Sequence, residues 1–289
     1  MRDTCFLCGS KKYHTIHKGV RNSDAIDVLK CEECGLVRLS DNVAGDDYYI
    51  DSTMRQNETE ESIDQIRIAT RCDDIRRYKF TKTMIENRKV LDFGCGAGGY
   101  LCYAKQDVKG IYGVELETAM RDKINTEGIK CFANIEEAVC ELQGRIDIVT
   151  MFHVLEHIDN PEDILEKLKR LLCPDGRMII EIPNSDDVLL SLFENKSFAD
   201  FTYWESHLYL YNNTTFRQLM DKSKLNIEFL GQIQRYPLSN TLYWLAKGKP
   251  GGHREWAMLS NERLDREYEN QMTKLGIADT IIAIVRPRR

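Results

Sequence analysis

The chain has 289 residues, of which 42% are hydrophobic and 30% are charged, and its formal net charge is -6. This length and composition suit one full globular domain with a small additional module. The negative charge argues against a broad nucleic-acid-binding surface, because phosphate binding requires clustered lysine and arginine. The longest apolar runs, such as residues 178–182, are much shorter than the roughly 20 residues of a membrane-spanning helix. With no apolar signal run near the first residue, we expect a cytoplasmic protein without a membrane span.

Two cysteine pairs lie near the start of the chain. Cys5 and Cys8 form one C-x-x-C pair, Cys31 and Cys34 form the second, and a glycine follows each pair. The glycine lets the backbone turn so that both sulfur atoms of a pair point at one ion. We predict a structural zinc site in a module spanning residues 1–45, with unrelated reduced thiols as the alternative. Four thiolates fill a tetrahedral site, so this zinc has no direct catalytic role.

Residues 46–87 are predicted to connect this module to the next domain. Residues 46–57 are polar and tyrosine-containing, which is typical of a linker. Residues 58–87 are highly charged, contain no proline or glycine and carry spaced apolar side chains. This pattern predicts one or two helices that pack on the following domain.

From residue 88 to residue 289, short β-rich runs alternate with helical patterns. This alternation predicts a doubly wound α/β fold around a seven-stranded, mostly parallel sheet. The helix beginning at Asn160 and Pro161 is the clearest of these elements. Residues 236–278 are too long for a hairpin loop, so we predict a helical insertion that covers the active site. The expected strands are residues 90–93, 111–116, 130–132, 146–151, 177–182, 227–234 and 280–285.

A glycine-rich turn follows the first expected strand. Gly94 and Gly96 let the backbone approach a ligand, and the helix that follows offers N–H groups to a carboxylate or phosphate. With Gly99 they also satisfy the dinucleotide pattern G-x-G-x-x-G, so a nicotinamide cofactor is an alternative. Asp92 would repel a pyrophosphate and hold an ammonium group, and Glu115 at the end of the second strand suits two ribose hydroxyls. These carboxylates favour S-adenosylmethionine.

The sequence resembles the class I S-adenosylmethionine-dependent methyltransferases, which have a Rossmann-like fold, over about residues 58–235. Four motifs in the expected order carry the resemblance, in residues 90–101, 114–115, 152–157 and 168–184. The resemblance implies cofactor-binding positions after each of the first four strands. By this resemblance, Gly94 and Gly96 line the methionine moiety, and Glu115 binds the ribose. Asn134 and Ile135 border the adenine. Phe152 or His153 lies near the methyl group that is transferred.

Within this superfamily, the cysteine module and residues 204–209 resemble small-molecule methyltransferases of sugar and surface-polysaccharide pathways. This resemblance implies O-methylation of a sugar, a nucleotide sugar or a phosphate-bearing metabolite. One alternative is a zinc-module RNA methyltransferase, which the acidic net charge disfavours. A second is a non-catalytic binding protein with a cofactor-type fold, which the intact Asp92, Gly94, Gly96 and Glu115 disfavour. The oligomeric state is left open.

Methyl transfer to an alcohol requires in-line placement and a base for the hydroxyl proton. Ligands of open α/β sheets lie beyond the carboxyl ends of the strands, which favours the segments after strands four and five. His207 is the first candidate base because imidazole titrates near neutrality, and Glu205 or Tyr203 could orient it or the acceptor. His153 is the second candidate. The alternative for His207 is a packing role.

A divalent cation site is a further hypothesis for the segment after strand four. The segment that contains His153, Glu156 and His157 resembles the Leu-Glu-His segment of ubiquinone-pathway O-methyltransferases. This resemblance implies that the three residues bind a divalent cation. His153 replaces the acidic residue expected there. The alternative for Glu156 and His157 is a structural role at the start of a helix.

Overall fold

The structure is a computed structural model that describes residues 4–42 and 63–288. The predicted linker at residues 46–57 lies outside the described residues. No described helix has both the length and the apolar character that crossing a membrane requires.

Eleven strands are present in the described part of the chain. In chain order they are β1 (Tyr13–His17), β2 (Val28–Cys31), β3 (Val37–Leu39), β4 (Lys89–Phe93), β5 (Gly110–Val114), β6 (Lys130–Phe132), β7 (Ile146–Phe152), β8 (Leu172–Pro183), β9 (Tyr209–Leu210), β10 (Leu225–Ile233) and β11 (Thr280–Pro287). The helices between them are α1 (Ile63–Ile85), α2 (Gly99–Ala104), α3 (Thr118–Thr126), α4 (Ile135–Leu142), α5 (Pro161–Leu171), α6 (Val188–Ser191), α7 (Lys196–Thr202), α8 (Asn213–Lys222), α9 (Leu238–Lys247), α10 (Gly252–Glu255) and α11 (Glu262–Leu275). Two 3-10 turns lie at Leu155–His157 and Ala257–Leu259.

Seven strands form one sheet in the order β10-β11-β8-β7-β4-β5-β6. Strands β5, β6, β7 and β8 run parallel to β4, and β11 is antiparallel to both of its neighbours. The predicted doubly wound, mostly parallel sheet is therefore confirmed. Because the parallel strands point the same way, the loops after β4, β5, β7 and β8 meet at one edge.

Strand β8 differs from its expected bounds. Residues 172–176, which precede the expected strand at 177–182, form the first part of β8, where the pairing register with β7 shifts between Ile146 and Ile148. Helix α5 ends directly before this strand, and Leu165, Leu168 and Leu171 bury its apolar face. Asn160 precedes the helix but makes no side-chain capping bond, so Pro161 alone marks the start.

The residues between β10 and β11 form helices α9, α10 and α11 rather than a hairpin loop. Trp244 on α9 is buried and packs edge-on against Phe198, with the ring centroids 5.2 Å apart. The ring of Phe201 lies at the same centroid distance from Trp244. These contacts hold the helices against α7, next to the carboxyl end of β8.

The four-cysteine region shares a second sheet with the larger part of the chain. This sheet has the order β1-β2-β3-β9, and β9 comes from the segment after α7. Val37 pairs with Leu210, and Phe6 packs on Tyr209 with ring centroids 4.8 Å apart. The sequence predicted a zinc-binding module at residues 1–45, and the described part of this region shares one hydrophobic core with buried Leu208.

Candidate active site

The turn after β4 requires glycine at two positions for different reasons. Gly94 has φ +70°, and a Cβ placed on it would lie 2.5 Å from Val154 Cγ2. Gly96 has φ +52°, and a Cβ there would meet no atom within 4 Å. The first glycine is thus needed for packing, whereas the second is in a left-handed conformation and leaves open space for a ligand.

A cavity of about 660 Å³ begins at this turn and runs along the ends of β4 and β5. Glu115 lies on its wall, where the carboxylate accepts hydrogen bonds from Gly96 N at 2.7 Å and Glu117 N at 2.9 Å. The apolar lining comes from Phe93, Val114, Leu116, Met120, Ile135, Ile158 and Ile164. An apolar slot that carries the Glu115 carboxylate directly after β5 suits an adenosine, because the ribose hydroxyls can donate hydrogen bonds to Glu115.

Most of the predicted cofactor residues border this cavity. They are Gly94, Gly96, Glu115, Asn134 and Ile135. Asn134 also begins α4, where its Oδ1 accepts a hydrogen bond from Glu137 N at 2.9 Å. His153, which was predicted near the methyl group, also lines this cavity.

Two predicted cofactor residues are not among those that line the cavity. Asp92 is buried behind the turn and accepts a hydrogen bond from Thr150 Oγ1 at 2.7 Å. Burial raises the pKa of Asp92 to about 7, although the bond from Thr150 opposes this change. Phe152 packs edge-on against Tyr100, and the Arg77 guanidinium carbon lies 4.9 Å from its ring centroid. Both side chains therefore lie outside the cavity, and Phe152 contacts α1 through Arg77.

A second cavity of about 330 Å³ lies beyond the end of the first. His153 and His157 line both cavities, and His207 lines the second. Helix α9 and the start of β11 form the opposite wall of this second cavity. Two ligands bound in these cavities would therefore contact each other beside His153 and His157.

Glu156, His157 and His207 form a compact cluster at this meeting point. One possible ligand atom from each residue lies within 4.8 Å of the others. Glu156 is fully buried, and neither carboxylate oxygen has a hydrogen-bond partner of good geometry among the described residues. His157 Nδ1 lies 2.8 Å from the Ser206 carbonyl oxygen, to which an Nδ1–H donates, so His157 Nε2 keeps a lone pair. An oxygen and two imidazoles in this arrangement suit a divalent metal ion.

The charges of this cluster follow from burial and mutual contact. Burial raises the pKa of Glu156, but His153, His157 and His207 outweigh it and hold this pKa at about 2. Burial lowers the pKa of His157, opposed by Glu156. Burial and the neighbouring His157 lower the pKa of His207 to about 3. The lowered pKa values of His157 and His207 favour neutral imidazoles, which is the form that binds a metal ion.

His153 is held in a conformation that few residues adopt. Its φ is 56°, and its backbone N donates to Glu181 O at 2.7 Å. On the ring, Nδ1 lies 3.3 Å from Glu156 Oε1, and Nε2 lies 3.2 Å from Glu181 Oε1. Two buried carboxylates therefore fix the ring between the cavities, and the surrounding contacts sustain the backbone strain.

Glu181 is part of a buried ion network that sequence reasoning did not identify. Arg76 binds both carboxylate oxygens at 2.8 and 2.9 Å, and Arg77 reaches Oε1 at 2.9 Å. Burial raises the pKa of Glu181, but His153 and the arginines hold it well below its usual range. The available signal was a glutamate within the apolar run of residues 178–182, because a buried charge in a central strand needs partners.

The remaining two predicted catalytic residues lie toward the cysteine region. Tyr203 is buried, its carbonyl accepts a hydrogen bond from Arg21 N at 2.8 Å, and its ring lies 5.3 Å from that of His17. Neither Tyr203 nor Glu205 is among the described residues that line the two cavities. The structure thus brings His153 and His207 to the candidate site and places Tyr203 and Glu205 beside it.

The four cysteines predicted to bind zinc lie together. The Sγ atoms of Cys5 and Cys34 are 3.6 Å apart, those of Cys8 and Cys31 are 3.5 Å apart, and all four lie within 4.8 Å of one another. A tetrahedral zinc with bonds of about 2.3 Å separates its sulfur ligands by roughly 3.8 Å. The spacing of these thiols therefore fits a tetrathiolate zinc site.

The strand order, the glycine turn and the cavity with its ribose-type carboxylate define a class I S-adenosylmethionine-dependent methyltransferase. The family model described as "Methyltransferase domain" matches residues 65–228, which is more than half of the chain, and the chain belongs to this family. S-adenosylmethionine is therefore the cofactor, and the alternatives of a nicotinamide cofactor and of a non-catalytic protein are wrong.

Curated relatives match a shorter part of the chain. A ubiquinone biosynthesis O-methyltransferase from Bordetella avium is 32% identical over 99 residues, which are 32% of this chain and 41% of the relative. The mitochondrial enzyme of the same name from Saccharomyces cerevisiae is 32% identical over an alignment of 145 residues that covers 42% of this chain and 43% of the relative. The chain thus spans less than half the length of these relatives. A solved S-adenosylmethionine-dependent methyltransferase from Archaeoglobus fulgidus has 19% identity and a TM-score of 0.49, with 81% of this chain and 98% of that chain covered.

Proposed function

We propose that this enzyme transfers the methyl group of S-adenosylmethionine to a hydroxyl oxygen of a small-molecule acceptor, with a sugar as the favoured class. The observation that carries this proposal is the junction of the two cavities at His153 and His157. With the cofactor in the larger cavity and the acceptor in the smaller one, the reacting atoms meet at these residues. The O-methyltransferase names of the curated relatives support oxygen as the methylated atom. The resemblance to sugar-pathway enzymes supports the acceptor class.

In this proposal, the carboxyl ends of the first strands bind the cofactor. Glu115 accepts hydrogen bonds from the ribose hydroxyls, and Asn134 and Ile135 border the adenine. The open space above Gly96 admits the methionine moiety close to the backbone. Asp92 lies behind the turn, where it accepts the hydrogen bond from Thr150, and a cofactor ammonium group nearby would favour its ionised form.

Glu156, His157 and His207 are proposed to hold a divalent cation beside the acceptor. The orphaned buried carboxylate of Glu156 and the Nε2 lone pair of His157 support this assignment. His207 replaces His153 in the ligand set that the sequence predicted. Such a cation would lower the pKa of an acceptor hydroxyl. The low pKa of His207 favours a ligand over a general base, which works best near the operating pH.

His153 is then the remaining candidate for receiving the acceptor proton. Its ring borders both cavities, so it lies next to the path from the acceptor hydroxyl to the methyl group. Glu156 and Glu181 flank the two ring nitrogens, so one nitrogen must leave its carboxylate to receive the proton. Tyr203 and Glu205 are proposed to support the segment that carries His207 rather than to contact the acceptor.

A structural zinc ion is proposed at Cys5, Cys8, Cys31 and Cys34. The distances between the sulfur atoms support this zinc site. Because four cysteines fill the tetrahedral coordination, the zinc has no coordination position left for a substrate. A reducing compartment keeps such thiolates available for metal, so a cytoplasmic location remains our proposal.

Replacement of Glu115 tests the cofactor site. The carboxylate supplies charge-assisted hydrogen bonds worth about 1.5–3 kcal/mol each, so Glu115→Ala should weaken S-adenosylmethionine binding at least about tenfold. Calorimetry on the full chain measures this affinity. Glu141→Ala is the matched control, because Glu141 is exposed and pairs with Lys130 away from the cavity. Unchanged affinity in Glu115→Ala would show that the ribose is bound elsewhere.

The acceptor class is tested by incubating the enzyme with methyl-labelled S-adenosylmethionine and either total RNA or a small-molecule extract. We expect label only in the small-molecule fraction. Labelled RNA would support the zinc-module RNA methyltransferase instead.

A further inference from the structure

The second cavity has an aromatic wall on the side of α9. Trp244 packs against both Phe198 and Phe201, and all three residues line the cavity. A volume of about 330 Å³ accommodates a single six-membered ring with its substituents. Aromatic faces of this kind pack against the apolar face of a ring and leave its edge to polar groups.

Two carboxylates also line this space. Asp187 is only 7% exposed and lies directly before α6, where its Oδ1 accepts a hydrogen bond from Leu189 N at 2.7 Å. Asp279 lies directly before β11, and its Oδ2 accepts bonds from the backbone N of Arg235 at 2.9 Å and of Tyr236 at 3.2 Å. Both residues line the cavity.

No cation among the described residues forms an ion pair with Asp187. Arg235 is the nearest arginine of the cavity wall, but its guanidinium pairs with Asp73 through both Nε and Nη2. Its Nη1 lies 3.2 Å from His153 Nε2. Burial raises the pKa of Asp187 to about 8, and the charge of Asp279 adds to this rise. A buried carboxyl beside a second carboxylate is stabilised by an incoming hydrogen-bond donor and repels an anion.

We propose that Asp187 and Asp279 bind the hydroxyl or ammonium donors of the acceptor, so that the ring entering this cavity is hydroxylated or aminated and carries no phosphate. The inference rests on the proposed function, because it takes this cavity as the acceptor site. It narrows the acceptor class, since a phosphate-bearing acceptor must keep its phosphate outside the cavity. The aromatic wall then contacts the face of the acceptor ring, and the two carboxylates bind the hydroxyl or ammonium groups at its edge.

The test compares the wild-type full chain with Asp187→Asn, using methyl-labelled S-adenosylmethionine and a small-molecule extract as the acceptor source. An asparagine keeps the oxygen that accepts from Leu189 N but, unlike the carboxyl group, cannot ionise when a donor binds. We expect the KM, expressed as the extract concentration that gives half-maximal labelling, to rise at least about tenfold, because the charge-assisted hydrogen bond that forms once a bound donor ionises Asp187 is lost, while kcat and cofactor affinity change little. The melting temperature should stay the same or rise. Asp186→Asn is the matched control, because this neighbouring carboxylate does not line the cavity.

Fragmentation of the labelled product by mass spectrometry provides the second readout. The methyl group is expected on a unit that carries hydroxyl or amino groups and no phosphate. An unchanged KM in Asp187→Asn, or a phosphate on the methylated unit, would overturn this inference and leave the methyltransferase proposal intact. If the wild type bound the cofactor but labelled no small molecule, the proposed function itself would fail, and the inference with it.

Discussion

Cys31→Ser is expected to disorder the cysteine region and to abolish most turnover while leaving cofactor binding nearly unchanged. Structural zinc in small modules contributes on the order of 10 kcal/mol to their folding, so a lost ligand should release the region around it. This region also anchors the segment that carries His207. Arg21 N donates to Tyr203 O at 2.8 Å and Leu39 N donates to Leu208 O at 3.1 Å, so the segment is held on both sides of His207.

Hydrogen exchange measured by mass spectrometry should therefore show lost protection in two places, residues 4–42 and residues 203–211. Elemental analysis should show the loss of one zinc per chain. Cys140→Ser is the control, because Cys140 is an exposed cysteine outside the four-cysteine cluster. Two findings would contradict the proposal: wild-type protein purified without chelator that lacks stoichiometric zinc, or Cys31→Ser protein with normal protection at residues 203–211.

The elements that the sequence predicted well are those whose signals are local. Strand β4 is an apolar run followed by glycines with positive φ, and both features depend only on neighbouring residues. Glu115 was identifiable because its position at the end of a second strand places it at the same sheet edge as Gly96. The cysteine spacing likewise predicted that four distant thiols would lie together.

The remaining features depend on contacts between distant parts of the chain. Strand β9 has only two residues and exists because β3 pairs with it, so no periodic pattern could reveal it. The pairing of Arg76 with Glu181 joins residues 105 positions apart. Tyr203 and His207 share one short segment, yet only His207 lines a cavity. Sequence spacing does not determine which side chains of an irregular segment face a site.

The ligand role of His207 predicts a different outcome for His207→Ala than for His153→Ala. His207→Ala should lose the proposed divalent cation and lower turnover by about 10²–10⁴-fold, the range typical of a lost proton-transfer or activating group. His153→Ala should lower turnover by a similar factor but retain the cation, since its ring contacts Glu156 and Glu181 without joining the compact cluster. Cofactor affinity should change little in both variants.

Metal content separates these roles without reference to activity. After loading with Mn²⁺, which imidazole and carboxylate ligands accept, the wild type and His153→Ala should hold one manganese and one zinc per chain. His207→Ala should hold the zinc alone, because its four cysteines are untouched. His14→Ala serves as the control, since His14 is exposed on β1. A wild type that binds no manganese, combined with a large loss of turnover in His207→Ala, would restore His207 as a base. Near-normal turnover in both variants would instead indicate an enzyme that relies on in-line placement of an acceptor that is already ionised.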